Sequence, residues 1–116
     1  MCRNISKTFN TASKHYIGQH KNTQYERETI ESVTKVRRTL LEKIDNLKKE
    51  IIEGSNVAMA ATRLNLIAME LSEQESLLEN FEDDKFLPPT LHRKRQQMLL
   101  LLNDDIRSLR CFIKQM

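Results

Sequence analysis

The chain has 116 residues, which is the usual length of one domain and leaves little room for a second. Gly and Pro number only two each, and 39% hydrophobic with 30% charged residues is typical of amphipathic helices, not of turn-rich β folds. The net charge of +3, from 19 basic and 16 acidic side chains, excludes the one-signed polycation that binds nucleic acid nonspecifically.

Cysteine usage and the N-terminal residues indicate a cellular location. Cys2 and Cys111 lie near opposite ends of the sequence, and its first residues do not have the pattern of a secretory leader. No apolar run approaches the roughly 20 residues that cross a bilayer. We therefore expect a soluble, cytoplasmic protein without a transmembrane segment. Residues 1–22 contain basic but no acidic side chains. They are predicted to be a basic tail or short helix, with a mitochondrial transit peptide as the alternative.

The main domain is predicted to span 23–116, and its first helix is predicted over 24–53. Its apolar residues recur at gaps of three and four, which places them on one face. They are Ile30, Val33, Val36, Leu40, Ile44, Leu47 and Ile51. Thr23 and Glu26 have the spacing of a capping box, which predicts the helix start. Gly54, followed by Ser55 and Asn56, predicts its end.

The second helix is predicted over 56–84, with small apolar residues in its first half and large ones in its second. The stripe consists of Val57, Ala60 or Ala61, Leu64, Ala68, Leu71, Leu78 and Phe81. Gln74 and Glu75 interrupt it, so one layer is predicted to be polar or to face solvent. Pro88 and Pro89 cannot continue a helix and mark the next connection.

The third helix is predicted over 90–116, with Thr90 as its N-cap. Its stripe is Leu99, Leu102, Ile106, Leu109, Ile113 and Met116, widened by Met98, Leu101 and Phe112. A face this wide needs two neighbouring helices to cover it. Because both connections are short, consecutive helices should be antiparallel neighbours. The predicted fold is therefore an all-α, antiparallel three-helix bundle.

The sequence lacks the constellations that carry catalysis or bind metal. The three histidines have no spacing that aligns two on one helix face: His15, His20 and His92. With two glycines there is no phosphate-binding loop, and Cys111 is predicted to be a small core residue. We predict a protein that is not an enzyme, with no cofactor, no metal site and no small-molecule substrate.

Charge is unevenly distributed along the chain. Acidic residues without intervening Lys or Arg occupy 70–84: Glu70, Glu73, Glu75, Glu79, Glu82, Asp83 and Asp84. The segment 92–95, His-Arg-Lys-Arg, follows near a predicted helix start, where cations oppose the helix dipole. Either the acidic cluster neutralises it across the hairpin, or an acidic partner surface does. No aromatic residue interleaves with the basic clusters, which disfavours nucleic acid as the partner.

These patterns resemble a BAG domain, the three-helix module that binds the nucleotide-binding domain of Hsp70 chaperones. The resemblance spans roughly residues 31–116. Segment 32–36 is similar to the family's first helix, and 77–79, Leu-Leu-Glu, to the end of its second. The proline-containing loop followed by 93–95, Arg-Lys-Arg, and then by Met98, Leu101 and Leu102 is similar to the opening of its third helix.

The resemblance implies a co-chaperone that promotes nucleotide exchange, and it implies which residues contact the chaperone. The acidic contact would be Glu79, with Glu70 as a second, and the basic contact Lys94 or Arg95. The family's third helix carries a Gln where Leu102 stands here, and Asn103 comes one residue late. Because the family's Gln is expected to contribute to the chaperone contact, its replacement by Leu102 weakens the inference that this chain promotes nucleotide exchange. The predicted partner-binding residues are Glu70, Glu79, Arg93, Lys94, Arg95 and Asn103.

The alternative is a coiled-coil adaptor or tethering subunit of a larger complex. The chain is also similar to the regulatory three-helix bundle of syntaxins and to small subunits of vesicle-positioning or secretion complexes. A polar layer at Gln74 and Glu75 would suit register control in a coiled-coil assembly. The partners would then be other coiled-coil subunits.

Overall fold

The computed structural model describes the backbone of residues 2–80 and 87–116 and the side chains of 23–80 and 87–116. Within these ranges the chain forms three helices and no strand. They are α1 (Cys2–Ile52), α2 (Val57–Glu79) and α3 (Pro89–Lys114). The all-α three-helix bundle predicted from the apolar stripes is confirmed.

Helix α1 begins at Cys2, well before the predicted start at residue 24. Thr23 lies inside a continuous helix, so the prediction that it begins one is wrong. The 51 helical residues contain no proline that would end the helix. At 1.5 Å per residue α1 spans about 76 Å, which is the long dimension of the 76 × 20 × 16 Å molecule. The location of the protein, and the targeting alternative for 1–22, stay predictions.

The connection between α1 and α2 forms at Gly54, as predicted. The Ser55 N–H donates to the Glu50 carbonyl at 2.9 Å, and the Gly54 N–H donates to the Ile51 carbonyl at 3.0 Å. This pair of bonds is a Schellman motif, which satisfies carbonyls that the helix end leaves free. Gly54 has a φ of 78°, a left-handed conformation in which a side chain would be strained.

The start of α3 differs from the prediction by one residue. Pro89 is the first helical residue and Pro88 the N-cap, so Thr90 is not the cap. A proline at the first position loses no hydrogen bond, because that N–H has no partner within the helix, and its φ already suits the helix. The end of the second predicted helix, 81–84, lies outside the described residues, together with Phe81, Glu82, Asp83 and Asp84.

The core lies along the three apolar stripes and largely confirms them. Its buried members are Ile30, Val33, Leu40, Ile44, Leu47, Ala60, Leu64, Ile67, Ala68, Leu71, Leu78, Leu87, Leu91, Leu102, Ile106 and Leu109. Ile67, Leu87 and Leu91 were not predicted. Three predicted members are exposed: Val57 at the start of the α2 stripe, and Leu101 and Met116 at the edges of the α3 stripe. A narrow core shared by three helices follows from stripes built of Leu, Ile, Val and Ala.

Side-chain contacts between α1 and α3 set the register of these two parallel helices. The Arg37 guanidinium donates to both carboxylate oxygens of Asp105, from Nε at 2.5 Å and from Nη2 at 3.2 Å. About three turns further along α1, Lys48 Nζ lies 4.9 Å from the centre of the Phe112 ring. A two-point Arg–carboxylate pair fixes orientation as well as distance, so residues of α1 face residues of α3 about 68 positions later.

Candidate protein-binding surfaces

Arg95 occupies a core position instead of the surface. Its side chain is 7% exposed, and its Nε donates to the carbonyl of Leu78 at 2.7 Å. That carbonyl belongs to the last turn of α2, where the helix itself supplies no donor. Arg95 therefore caps α2 across the hairpin, a folding role that neither interpretation of the basic cluster included. The sequence carried a signal, because Arg95 follows Leu91 by four residues and precedes Leu102 by seven.

Glu26 is the second buried charged residue of the described chain. It is 7% exposed and lies on the α1 face that carries Ile30 and Val33. The register set by Arg37 and Asp105 places it level with residues 94–95 of α3. Opposite charges thus enter the core at the same end of the bundle. A buried structural carboxylate was missed because the sequence placed Glu26 at a helix start.

The remaining charged residues at this end are exposed. Glu79 ends α2, and Arg93 and Lys94 stand in the second turn of α3. The helix dipole acts mainly on the first turn, so these two cations oppose it less than the sequence predicted. Of the residues expected to neutralise them, Glu79 makes no ion pair with either cation in the described part of the chain. Glu82 and Asp83 lie outside the described residues, so neutralisation by these two stays a prediction.

The other two predicted contacts do not join this end. Glu70 lines a groove between α1 and α2, whereas Asn103 lines a separate groove between α2 and α3. Glu70 and Glu79 are nine residues apart, so at 100° per residue they point to opposite flanks of α2. Leu102, which stands where the BAG family carries a Gln, is 0% exposed. The six predicted residues therefore do not form one continuous surface.

The groove between α2 and α3 has a strongly one-signed lining. It encloses about 670 Å³ and is lined by Asn65, Asn103, Ile106, Arg107, Arg110, Cys111, Ile113 and Lys114. Three of these side chains are cationic and none is acidic. We call this surface the basic groove. Sequence reasoning missed it because the cations are spread over 107–114 at helical spacing and do not form a consecutive run.

The shape of the basic groove follows from unequal side-chain sizes on its two walls. Helix α2 contributes only Asn65, which follows Ala60 and Ala61, while α3 contributes long side chains. The Arg107 Nη2 donates to Asn103 Oδ1 at 3.0 Å, which holds that guanidinium along α3. Within the described residues Arg110 and Lys114 make no ion pair, so their charge is available to a ligand.

Cys111 lies at the edge of the basic groove and is exposed, so the prediction that it is a core residue is wrong. At 100° per residue Cys111 lies about 160° from Leu109 and about 140° from Ile106, on the side of α3 that faces away from the buried stripe. Gln115 Nε2 donates to its sulfur at 3.8 Å.

The groove between α1 and α2 has a mixed lining. It encloses about 370 Å³ between Lys43, Asn46, Leu47 and Glu50 of α1 and Arg63, Leu66, Ile67 and Glu70 of α2. Both charge signs occur in equal number, so a single highly charged ligand gains little there. In the side chains described for 23–80 and 87–116, no His, Cys, Asp and Glu cluster could hold a metal ion.

None of the described helices combines the length and apolar character that crossing a membrane requires. No protein-family model, curated protein or solved structure matches this chain. The similarity to BAG domains and to trafficking bundles therefore stays a prediction from short patterns of residues.

Proposed function

We propose that the chain is a non-enzymatic helical adaptor that binds an acidic, amphipathic segment of a partner protein in the basic groove. The observation that carries this proposal is the lining itself, in which Arg107, Arg110 and Lys114 surround an apolar floor without an acidic side chain. Charge complementarity of this kind selects the partner and its orientation.

The two chemistries of the basic groove indicate the character of the segment. Ile106 and Ile113 are its apolar residues, and they lie seven positions apart on α3, two turns along one face. A helix in a groove places apolar anchors at similar spacing, with its polar residues at the rim. Acidic residues beside those anchors would meet Arg110 and Lys114, and Asn65 and Asn103 supply amide donors and acceptors.

A nuclear magnetic resonance titration tests this directly, because a 116-residue chain gives a resolved amide spectrum. The probe is a synthetic helical peptide with Leu at positions i, i+3 and i+7 and Glu between them. We expect shift changes concentrated at Asn65, Asn103 and the three cations. The control peptide carries Lys in place of every Glu and should leave these amides unchanged.

Two outcomes would contradict the adaptor proposal. Equal shifts with the Lys peptide would show that the charge of the groove selects nothing. Saturable binding of single-stranded RNA at the same residues, stronger than the binding of the acidic peptide, would assign the groove to nucleic acid instead.

The co-chaperone prediction is retained as a second candidate because of one observation. Glu79, Arg93 and Lys94 are all exposed at the same end of the bundle, where α2 ends and α3 begins. Such an arrangement offers both charge signs to the nucleotide-binding domain of an Hsp70. The burial of Arg95 removes one of the contacts that the family resemblance implies, and the position of the family's Gln is occupied here by the buried Leu102.

Release of a fluorescent ADP analogue from an Hsp70 tests the second candidate. If the chain is an exchange factor, release should accelerate, and Glu79→Lys with Lys94→Glu should abolish the acceleration. A release rate that does not change at tens of micromolar protein would eliminate this candidate and leave the adaptor proposal untouched.

A further inference from the structure

The solvent side of α2 carries a second surface that the adaptor proposal does not use. Six exposed residues form it, and we call it the outer face of α2: Met59, Arg63, Leu66, Glu70, Glu73 and Leu77. Its three large apolar side chains are only about half covered by the fold. Met59 is 49% exposed, Leu66 54% and Leu77 47%. Large apolar side chains aligned on the solvent side of a helix are typical of an interaction surface.

The spacing of the outer face is that of a coiled-coil seam. The six residues follow one another at gaps of four, three, four, three and four, an alternation that keeps one stripe of a helix facing a partner helix. This stripe is separate from the buried one, which runs through Ala60, Leu64, Ile67, Leu71 and Leu78. Helix α2 therefore has two faces suited to packing, and the fold of one chain uses only one of them.

We propose that the outer face of α2 pairs with the outer face of a second copy of this chain, antiparallel and about a two-fold axis near residue 68. The gap sequence reads the same in both directions, so it superimposes on itself when one helix is reversed. In a two-fold interface each residue pair occurs twice, so a surface must be complementary to its own reverse.

The residues that meet in this pairing are complementary. Met59 faces Leu77 of the second copy, which places an apolar pair at each end of the seam. Arg63 faces Glu73 of the second copy, so two ion pairs flank the centre. A parallel pairing in register would instead place Arg63 against Arg63 and Glu73 against Glu73, which opposes like charges. Charge therefore selects the antiparallel arrangement.

The centre of the seam contains Leu66 opposite Glu70 of the second copy. The Glu70 stem can cover Leu66 while its carboxylate stays at the edge. That edge is the groove between α1 and α2, which also contains Lys43 and Arg63. Apart from Glu70, the charged residues of the groove are these two cations and Glu50, so a net positive charge offsets part of the cost of removing the Glu70 carboxylate from water.

The outer face of α2 and the basic groove do not overlap. Asn65 lines the basic groove, whereas Leu66 lines the groove between α1 and α2. The dimer consequently presents two basic grooves, and the long α1 helices of the two copies run in opposite directions.

Sedimentation equilibrium with charge-swapped variants tests this proposal. We expect the unmodified chain to dimerise as concentration rises. Arg63→Glu and Glu73→Arg each replace two attractive pairs by two repulsive ones, so each should raise the dimer dissociation constant at least about tenfold. The double variant, with both changes, restores the two pairs in exchanged order and should return to within about threefold of the original value.

Arg38→Glu is the matched control, since Arg38 is an exposed cation of α1 outside the outer face and should leave dimerisation unchanged. Helical content is measured by circular dichroism for every variant, so that a misfolded protein is recognised. A monomer at all concentrations up to about 100 µM would overturn the proposal. So would a dimer that ignores the single reversals, or a double variant as weak as either single one.

Discussion

The two ends of α3 carry similar basic residues that serve different purposes. Near its start, Arg95 is buried and donates to the Leu78 carbonyl at the end of α2. Near its C-terminal end, Arg110 and Lys114 are exposed along the basic groove. The difference lies in what α2 offers opposite each position: a helix end with an unsatisfied carbonyl at one, and short side chains at the other.

Basic residues that are consecutive in sequence do not form one surface on a helix, because each side chain points in a different direction. Arg93, Lys94 and Arg95 are consecutive, so they point in three directions at 100° intervals. Only one of them faces the core. The cations that share a surface are those spaced three and four apart, Arg107, Arg110 and Lys114.

The largest expected effect comes from the core that both ends of α3 share. Leu102 lies between them and is completely buried, so Leu102→Ala should lower the free energy of unfolding by about 2–5 kcal/mol. Chemical denaturation monitored by circular dichroism measures the change. A loss below about 0.5 kcal/mol would mean that Leu102 is exposed at the surface.

The capping role of Arg95 near the start of α3 is tested by replacing this residue. Arg95→Met keeps most of the side-chain volume but leaves the Leu78 carbonyl without its donor, so unfolding should become easier by about 1.5–3 kcal/mol. Lys94→Met is the matched control, because it removes a neighbouring exposed cation and should change stability by less than about 0.5 kcal/mol. Equal losses in the two variants would refute the capping role of Arg95.

Replacing a buried polar group that has no hydrogen-bond partner should stabilise the chain, in contrast to the two changes above. Gln74 Oε1 is buried and accepts no hydrogen bond from the described residues. Gln74→Leu removes that unpaired group and continues the apolar stripe of α2, so it should raise the free energy of unfolding by about 1 kcal/mol. Thermal melts of the variant and the unmodified chain measure this. A loss of stability would show that the Gln74 amide is paired after all.

Much of the fold could be predicted from the sequence, because apolar periodicity determines which face each helix buries. Val33, Leu64 and Leu109 were all predicted and are all buried. Helix ends were harder. The Gly54 end was predicted because few residues tolerate its backbone conformation, whereas the Thr23 start was wrong because a capping pattern inside a helix has no local breaker to enforce it.

The candidate surfaces could be predicted less well, since they depend on contacts between helices. The sequence singled out Asn103 for a chaperone contact, but the groove that it lines requires Asn65 on a second helix and the short side chains around it. The burial of Arg95 depends equally on the end of α2. Neither partner is close in sequence, so charge patterns along the chain did not reveal them.

A comparison of two double reversals on α3 tests the adaptor proposal most directly. The first variant, Arg110→Glu with Lys114→Glu, reverses two cations of the basic groove. The second, Arg93→Glu with Lys94→Glu, reverses two exposed cations near the start of α3. Both should fold, since each exposed charge contributes at most about 1 kcal/mol to the helix dipole interaction. The account predicts that affinity for the acidic peptide falls at least tenfold in the first variant only. Unchanged affinity in the first, or an equal loss in both, would contradict it.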